Sequence, residues 1–283
     1  MRSKTSNIKN NRREVLTIHR AWWKQKLLKL FWPTRYLFTR AARLPGLEYL
    51  TRRLLFNELY MKVLPSKRTV EKKERVILPG VVVDHFIENA SYIFAMDACI
   101  CRQANNCDNY PLEIGCLFIG EGARKINPGF GREISAREAK ALQKRAENTG
   151  LINIVGKNRL DKLYLGVNPS EQMLTVCHCC ECCCLWQLLT VLPGSIADRV
   201  KKMDGVEVAV TGNCKGCGNC AQVCFVNAIF IENDAASIDP DICRGCGRCV
   251  LKCPEQAINL TFEENAYFKK CLELIALQNN VNE

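Results

Sequence analysis

The sequence predicts an α+β fold, with a basic helical segment first, a mixed α/β cysteine-rich domain in the middle and a compact cysteine-rich module last. Three observations support this prediction. Lys and Arg concentrate near the start, a capping box and short apolar runs indicate helices and strands in the middle, and a four-cysteine motif occurs twice near the end. The expected boundaries are 1–75, 76–204 and 205–262, with a helical tail over 263–283.

The positive charge lies in the first segment. Residues 1–75 hold 20 Lys and Arg against 5 Glu, although the whole chain of 283 residues has a net charge of only +11. Within it, residues 15–63 interleave cations with three of the four tryptophans. Two helices are expected here, separated at Trp32-Pro33, because proline disfavours helix in the residue before it.

Several partners suit residues 15–63. An anionic membrane surface would take the aromatic rings at head-group level and the cations against its phosphates. An acidic partner protein is the alternative. A helical projection of residues 15–32 does not separate apolar from basic residues, which favours burial against a partner or against the rest of the chain over a membrane anchor. A solvated basic face with no partner is also open. Nucleic acid is not expected, because no recognised nucleic-acid motif accompanies the basic run.

The middle domain carries ordinary structural signals. Ser135 and Glu138 form a capping box that opens a helix ending near Gly150. Apolar runs in the same region predict three strands, over 151–155, 163–167 and 173–176.

Cysteine is abundant, with 19 residues in the chain. No apolar signal segment follows the basic start, so we expect a cytoplasmic protein, with at most a peripheral contact to the membrane, in which thiols stay reduced. No uncharged run reaches the roughly eighteen apolar residues of a membrane-spanning helix. Metal binding therefore explains the cysteines better than disulfides do.

The strongest motif is a tandem repeat. The chain reads CKGCGNCAQVC from Cys214 and CRGCGRCVLKCP from Cys243, so each cysteine of the second copy lies 29 residues after its counterpart. Both copies have the spacing C-x2-C-x2-C-x3-C. A tight glycine-containing loop of this kind can place three thiolates around one iron–sulfur cube, and the fourth cysteine leads away towards a second cube.

These residues closely resemble bacterial two-cluster ferredoxins over about 55 residues. The resemblance implies a two-cluster ferredoxin-like module in which Pro254 fits the family pattern and Phe225 departs from it. It implies two [4Fe–4S] clusters, one bound by Cys214, Cys217, Cys220 and Cys253 and the other by Cys243, Cys246, Cys249 and Cys224. Two zinc sites, or a degenerate ferredoxin fold without clusters, are the alternatives.

Ten further cysteines form two groups. The stretch DACICRQANNCDNYPLEIGC supplies the first group, and the run CHCCECCC supplies the second. We expect a subset of these cysteines to bind one or two additional iron–sulfur clusters; the ten are Cys99, Cys101, Cys107, Cys116, Cys177, Cys179, Cys180, Cys182, Cys183 and Cys184. A non-cubane cluster, a zinc site that uses His178 and a set of free thiols are the alternatives, and His178 is more often a neighbour of such a site than a ligand.

The run CHCCECCC cannot direct all its thiols at one metal. In an extended chain, alternate side chains would face opposite sides, and in a helix only Cys180, Cys183 and Cys184 would share a side. Residues 76–262 loosely resemble poorly characterised cysteine-rich iron–sulfur proteins of anaerobes. Arg102 would then raise the potential of a neighbouring cluster, or it would form a structural ion pair.

These observations predict an iron–sulfur electron-transfer protein or subunit. Low-potential electrons would pass through the two ferredoxin clusters to or from a further cysteine-ligated centre in the middle domain. A ferredoxin, a flavoprotein or a larger redox complex would be the partner. The alternative is an oxidoreductase whose middle-domain cluster is the catalytic site, and no catalytic residue is identified. A zinc-stabilised interaction module is the third hypothesis, and Cys271 in the tail is expected to be a packed thiol.

Overall fold

The computed structural model describes residues 23–44, 46–66, 69, 79–168 and 171–262. The described residues form an α+β fold, which confirms the predicted class. The predicted tail over 263–283, with Cys271, lies outside the described residues, as do residues 15–22.

A seven-stranded sheet forms the centre of the molecule. Its spatial order is β4-β2-β3-β6-β5-β1-β7, and every neighbouring pair is antiparallel except β1 and β7. The long pair β5–β6 places Ile154 opposite Cys177. The strands are β1 (Tyr60–Val63), β2 (Ile93–Met96), β3 (Leu117–Ile119), β4 (Gly131–Glu133), β5 (Ile152–Lys157), β6 (Leu174–Cys179) and β7 (Val200–Lys202).

Helices surround this sheet. A helix over 23–31 begins the described part and leads through a short 3-10 helix, Trp32–Thr34, into the next helix. The α-helices that follow are α1 (Arg35–Ala41), α2 (Leu47–Leu55), α3 (Pro79–Glu88), α4 (Ile100–Ala104), α5 (Ala136–Asn148), α6 (Arg159–Leu165), α7 (Gly194–Ala197), α8 (Asn219–Gln222) and α9 (Arg248–Lys252). Further 3-10 helices are Glu121–Lys125, Pro128–Phe130 and Leu185–Thr190.

The capping box opens α5 as predicted. The Ser135 hydroxyl accepts from the backbone N–H of Glu138 at 3.2 Å, and the Glu138 carboxylate accepts from the backbone N–H of Ser135 at 2.9 Å. Gly150 follows the helix with a φ of 85°, a left-handed conformation that glycine adopts without strain. Strands β5 and β6 also lie where the apolar runs predicted them.

The strand predicted over 163–167 was wrong, because this stretch belongs mainly to helix α6. The Asn158 side chain caps the helix by accepting from the backbone N–H of Leu160 at 3.1 Å. Gly166 ends it with a φ of 78°. The apolar run is too short for its hydrophobic periodicity to distinguish a helix from a strand. The two caps therefore decide the structure in favour of a helix.

Strand β1 departs from the helical character predicted for residues 1–75. It pairs with β5 and β7, and Met61 and Val63 are fully buried in the sheet. In Tyr60–Val63 the apolar side chains of Met61 and Val63 share one face of the strand, and Lys62 on the other face is buried as well. No helix within the described ranges is long and apolar enough to cross a membrane.

The C-terminal module reproduces the sequence repeat in its backbone. Each cysteine motif leads into a short helix, α8 or α9, and the glycines before them, Gly218 and Gly247, share a φ of 75°. An antiparallel pair joins β8 (Val206–Val210) to β11 (Ile258–Phe262), and a hairpin joins β9 (Ile229–Glu232) to β10 (Ala235–Ile238).

Candidate iron–sulfur and metal centres

The eight cysteines of the repeat line two cavities. Each cavity combines three cysteines of one motif with the fourth cysteine of the other, as the ferredoxin resemblance implies. We call the first the outer site and the second the inner site; they are lined by Cys214, Cys217, Cys220 and Cys253 and by Cys243, Cys246, Cys249 and Cys224, respectively.

Backbone N–H groups point at the sulfur atoms of both sites. Ala228 donates to Cys224 Sγ at 3.2 Å, and Ala257 donates in the same way to Cys253 Sγ at 3.3 Å. Such bonds stabilise negative charge on cluster ligands. The outer site reaches the surface through Cys217, which is exposed, whereas Cys249 of the inner site is buried.

The ten upstream cysteines separate into two groups because the run CHCCECCC changes conformation. Cys177 and Cys179 lie on one face of strand β6, and His178 lies on the other. The strand ends there, and a turn over residues 181–183 redirects the chain. Cys184 then precedes a 3-10 helix. The alternation of side chains between two faces, as expected for an extended chain, therefore holds only up to Cys179.

The first group, which we call the four-thiol site, consists of Cys107, Cys180, Cys182 and Cys183. Their sulfur atoms all lie within 4.8 Å of one another. Cys182 Sγ lies 3.7 Å from Cys107 Sγ and 3.5 Å from Cys183 Sγ. Cys107 follows helix α4, so this site ties the α4 loop to the turn of the thiol run.

The second group lines a cavity of about 450 Å³, which we call the six-thiol cavity. By the same measure of volume, the outer and inner sites have only about 10 and 20 Å³. The six-thiol cavity therefore has far more room than either ferredoxin-type site. Seven cysteines line it, of which Cys180 belongs to the four-thiol site; the other six, which give the cavity its name, are Cys99, Cys101, Cys116, Cys177, Cys179 and Cys184.

The rest of the wall of the six-thiol cavity is mostly apolar and comes partly from the N-terminal helices. Leu28, Trp32 and Leu55 close one side of it. The Lys24 ammonium fixes the first helix by donating to the Tyr164 carbonyl at 2.8 Å. These side chains of the basic segment therefore pack on the protein itself.

The thiols around this cavity are strongly perturbed. A hydrogen bond from Cys101 lowers the pKa of Cys99 to about 6, and the same contact raises the pKa of Cys101 well above its usual value. Burial raises the pKa of Cys179 and Cys184. Metal ions bind thiolates, so filling this cavity with metal would release protons.

Arg102 lies between the two cysteine groups and is completely buried. Its guanidinium donates to the His178 carbonyl at 2.9 Å and to the Ile114 carbonyl. Burial alone would lower the pKa of Arg102, but nearby thiols, including Cys99 and Cys180, raise it overall. Arg102 therefore keeps its charge and offsets negative charge on both sides.

His178 is a neighbour of these centres rather than a ligand. Its Nδ1 lies 2.7 Å from the Gly115 carbonyl oxygen, and its Nε2 lies 2.9 Å from Oε1 of Gln143. Burial lowers the pKa of His178 to about 4, so the ring is neutral near pH 7. A neutral ring carries one N–H, so it donates in only one of these two contacts, and neither contact is to a cysteine sulfur.

Arg248 connects the inner site to the six-thiol cavity. It stands between Cys246 and Cys249 in the sequence, is buried, and donates to the backbone carbonyl of Cys179. Its Nε also lies 3.6 Å from the Glu181 carboxylate.

A shared apolar core continues this connection between the inner site and the six-thiol cavity. Cys179, Cys184 and Trp186 pack in the same core as Phe225 and Val226 of the C-terminal module. The cysteines of the inner site that border this core are Cys224, Cys243 and Cys246.

Two polar groups in the cavity wall were not expected from the sequence. The Oδ2 atom of Asp161 and the hydroxyl of Tyr164 are shut off from water, and the described residues give neither of them a hydrogen-bond partner. Burial raises the pKa of Asp161 to about 6 and that of Tyr164 to about 12. Both lie on helix α6, of which the sequence analysis had predicted residues 163–165 to be part of a strand.

Comparison with known proteins bears on the C-terminal module. Residues 213–257 match the family described as the 4Fe-4S dicluster domain. The match supports a ferredoxin-like iron–sulfur module within this range. No curated protein and no solved structure matches the chain.

Proposed function

We propose that this protein transfers low-potential electrons between a partner and an iron–sulfur centre in the six-thiol cavity, by way of two [4Fe–4S] clusters. The observation that carries the proposal is the contact between Arg248 and Cys179, because it joins the inner site directly to the wall of the six-thiol cavity. The family match supports the iron–sulfur character of the module.

The two ligand sets of the ferredoxin module are part of this proposal. Four cysteines at each cavity suit the four iron corners of a cube, and backbone N–H groups stabilise their charge. The cysteines that line each cavity are the same four that the ferredoxin resemblance assigns to each cluster, which supports these two ligand sets.

The route for electrons follows from burial. The outer site is the expected point of contact with a partner ferredoxin, flavoprotein or larger redox complex, because Cys217 is exposed there. Within the described part of the chain, cysteines of the inner site, and none of the outer site, border the apolar core that contains Cys179 and Cys184 of the six-thiol cavity. Electrons would then pass from the outer site through the inner site to the cavity, or in reverse.

The six-thiol cavity suits a centre larger than one cube. One cube has four iron corners, each of which takes one thiolate, so six converging thiols exceed its needs. A volume of about 450 Å³, against about 10 and 20 Å³ at the ferredoxin sites, supports the same conclusion.

Stepwise reduction followed by EPR tests the relay. The anaerobically purified protein is photoreduced, and the cavity centre is expected to become reduced. In Cys246→Ser, which alters the inner site, electrons should still enter the outer site but should reach the cavity centre much more slowly. Equal rates of cavity reduction in both proteins would contradict the proposed route.

A second function, catalysis at the six-thiol cavity, is favoured by Asp161 and Tyr164. An electron-transfer site has no need of buried proton donors, whereas reduction of a bound substrate consumes protons. We propose that, in this case, one iron keeps an open position for a small molecule. Cyanide added to the reduced protein should then change the EPR signal of the cavity centre, and an unchanged signal would exclude an open iron.

We also propose that the N-terminal helices place the protein on an anionic membrane surface. Helices α1 and α2 have no buried residue, although α2 has apolar side chains at helical spacing. Leu47, Leu50 and Leu54 are between 42% and 52% exposed. Arg52 and Arg53 lie in the last turn of the same helix, α2.

A further inference from the structure

The four-thiol site has a different geometry from the sites expected to hold iron–sulfur cubes. Its four sulfur atoms all lie within 4.8 Å of one another. Among the described residues, no other group of three or more Cys, His, Asp or Glu has ligand atoms as close together as this. The cysteines of the ferredoxin module and the six-thiol cavity are all described, so this spacing sets the four-thiol site apart from them.

The spacing fits four thiolates around one metal ion. A tetrahedral ion with metal–sulfur bonds of about 2.3 Å places its sulfur ligands about 3.8 Å apart. The distances from Cys182 Sγ to Cys107 Sγ and to Cys183 Sγ, 3.7 Å and 3.5 Å, are close to this value. On a cube each thiolate stands on a different iron atom and points outwards, so the sulfurs lie farther apart.

We infer that Cys107, Cys180, Cys182 and Cys183 bind a single tetrahedral metal ion, separate from the electron-transfer centres. Four thiolates select zinc or ferrous iron among the common divalent ions. With four protein ligands the site has no open position, which is the arrangement of structural rather than catalytic metal sites.

The surroundings of the site suit a structural role. The ion would tie Cys107, in the loop after α4, to the turn that separates the two parts of the thiol run. Cys180 also contributes to the wall of the six-thiol cavity. The ion would thus hold the turn in the shape that directs Cys179 and Cys184 into that cavity.

Metal analysis and X-ray absorption of the purified wild-type protein test this inference without any substitution. We expect about one zinc per chain with four sulfur neighbours at about 2.3 Å. If the ion is iron, total iron should exceed acid-labile sulfide by about one atom per chain, because the cubes contain equal numbers of iron and sulfide atoms and the single ion has no sulfide. Absence of both results would overturn the inference.

Substitution then locates the ion. Cys107→Ser should remove about one metal ion per chain and leave acid-labile sulfide unchanged, because a single-ion site contains no sulfide. Loss of about four iron and four sulfide atoms would instead show a cube at this site. If Cys107→Ser does not fold, the wild-type absorption measurement still decides.

Tyr110→Phe is the matched control for this substitution. In the wild type the Tyr110 hydroxyl donates to the Glu181 carboxylate at 2.9 Å, so Tyr110 contacts the same turn but offers no sulfur ligand. The variant should retain the full metal content. The EPR signals of the ferredoxin module should persist in both variants, which separates loss of this ion from failure of the proposed electron route.

Discussion

Arg248 of the C-terminal module donates a hydrogen bond to the backbone carbonyl of Cys179, a residue whose thiol lines the six-thiol cavity. The first copy of the repeat has Asn219 where the second has Arg248, so this contact exists on one side of the module alone. The inner site thereby gains a buried positive charge on the path to the cavity.

Replacing Arg248 with Gln should lower the reduction potential of the inner cluster. A buried positive charge stabilises the extra electron, and a charged interaction of about 1.5–3 kcal/mol corresponds to roughly 60–130 mV for one electron. An EPR-monitored redox titration measures the shift, and Arg248→Lys should restore part of it. Lys252→Gln, an exposed change on the same helix, should leave the potential unaltered. An unchanged potential in Arg248→Gln would remove the electrostatic role assigned to this residue.

Replacing Arg102 with Leu should destabilise the middle domain. The substitution leaves the carbonyl oxygens of His178 and Ile114 buried without their donor, which costs about 1–3 kcal/mol for each group. Thermal unfolding under anaerobic conditions measures the loss. Arg132→Gln, which removes an exposed partner of Glu138, should have little effect because surface ion pairs contribute little. Equal stabilities of the two variants would argue that Arg102 does not organise the cysteine groups.

Replacing both Leu50 and Leu54 with Glu should abolish binding to vesicles of phosphatidylserine. Each buried leucine contributes about 1.5–3 kcal/mol, so the affinity should fall by well over tenfold. Co-sedimentation measures binding, which should weaken with salt and be absent with neutral phosphatidylcholine. Phe230→Glu places the same charge on an exposed apolar residue of the C-terminal module and should bind as the wild type does. Failure of the wild-type protein to bind anionic vesicles would favour an acidic partner protein instead.

Replacing Cys217 with Ser should impair reduction by an external ferredoxin more than reduction by a small chemical reductant. The outer site is the proposed entry point, and Cys217 is the exposed cysteine that lines it. Stopped-flow absorbance with each donor measures the two rates. If the ferredoxin reduces Cys217→Ser as fast as it reduces the wild type, the partner contacts the protein at another place.

Much of the architecture could be predicted because its signals are local. The capping box at Ser135 and the repeated glycine positions specify backbone conformation directly, and the structure contains both. Helix α6 was missed because its N-cap, Asn158, lies outside the run over 163–167 that suggested a strand, and Gly166, which ends the helix, was counted as part of that run. Strand β1 was missed because its pairing partners are distant in sequence.

The division of the ten upstream cysteines could not be predicted from spacing. It depends on where β6 ends and where the turn begins, and alternation indicates only that the thiols face more than one way. The role of Arg248 did have a signal in the sequence. Equivalent positions next to the motif cysteines hold Asn219 in the first copy and Arg248 in the second. This difference between the copies marked the side of the module that faces the middle domain.

The count of iron and acid-labile sulfide per chain, after anaerobic purification, tests the central claim most directly. Two [4Fe–4S] clusters contribute about eight atoms of each. A further centre in the six-thiol cavity should raise iron to about twelve or more, with sulfide rising in parallel. A result of about eight iron and eight sulfide atoms would show that the cavity holds no iron–sulfur centre and would contradict the proposed relay.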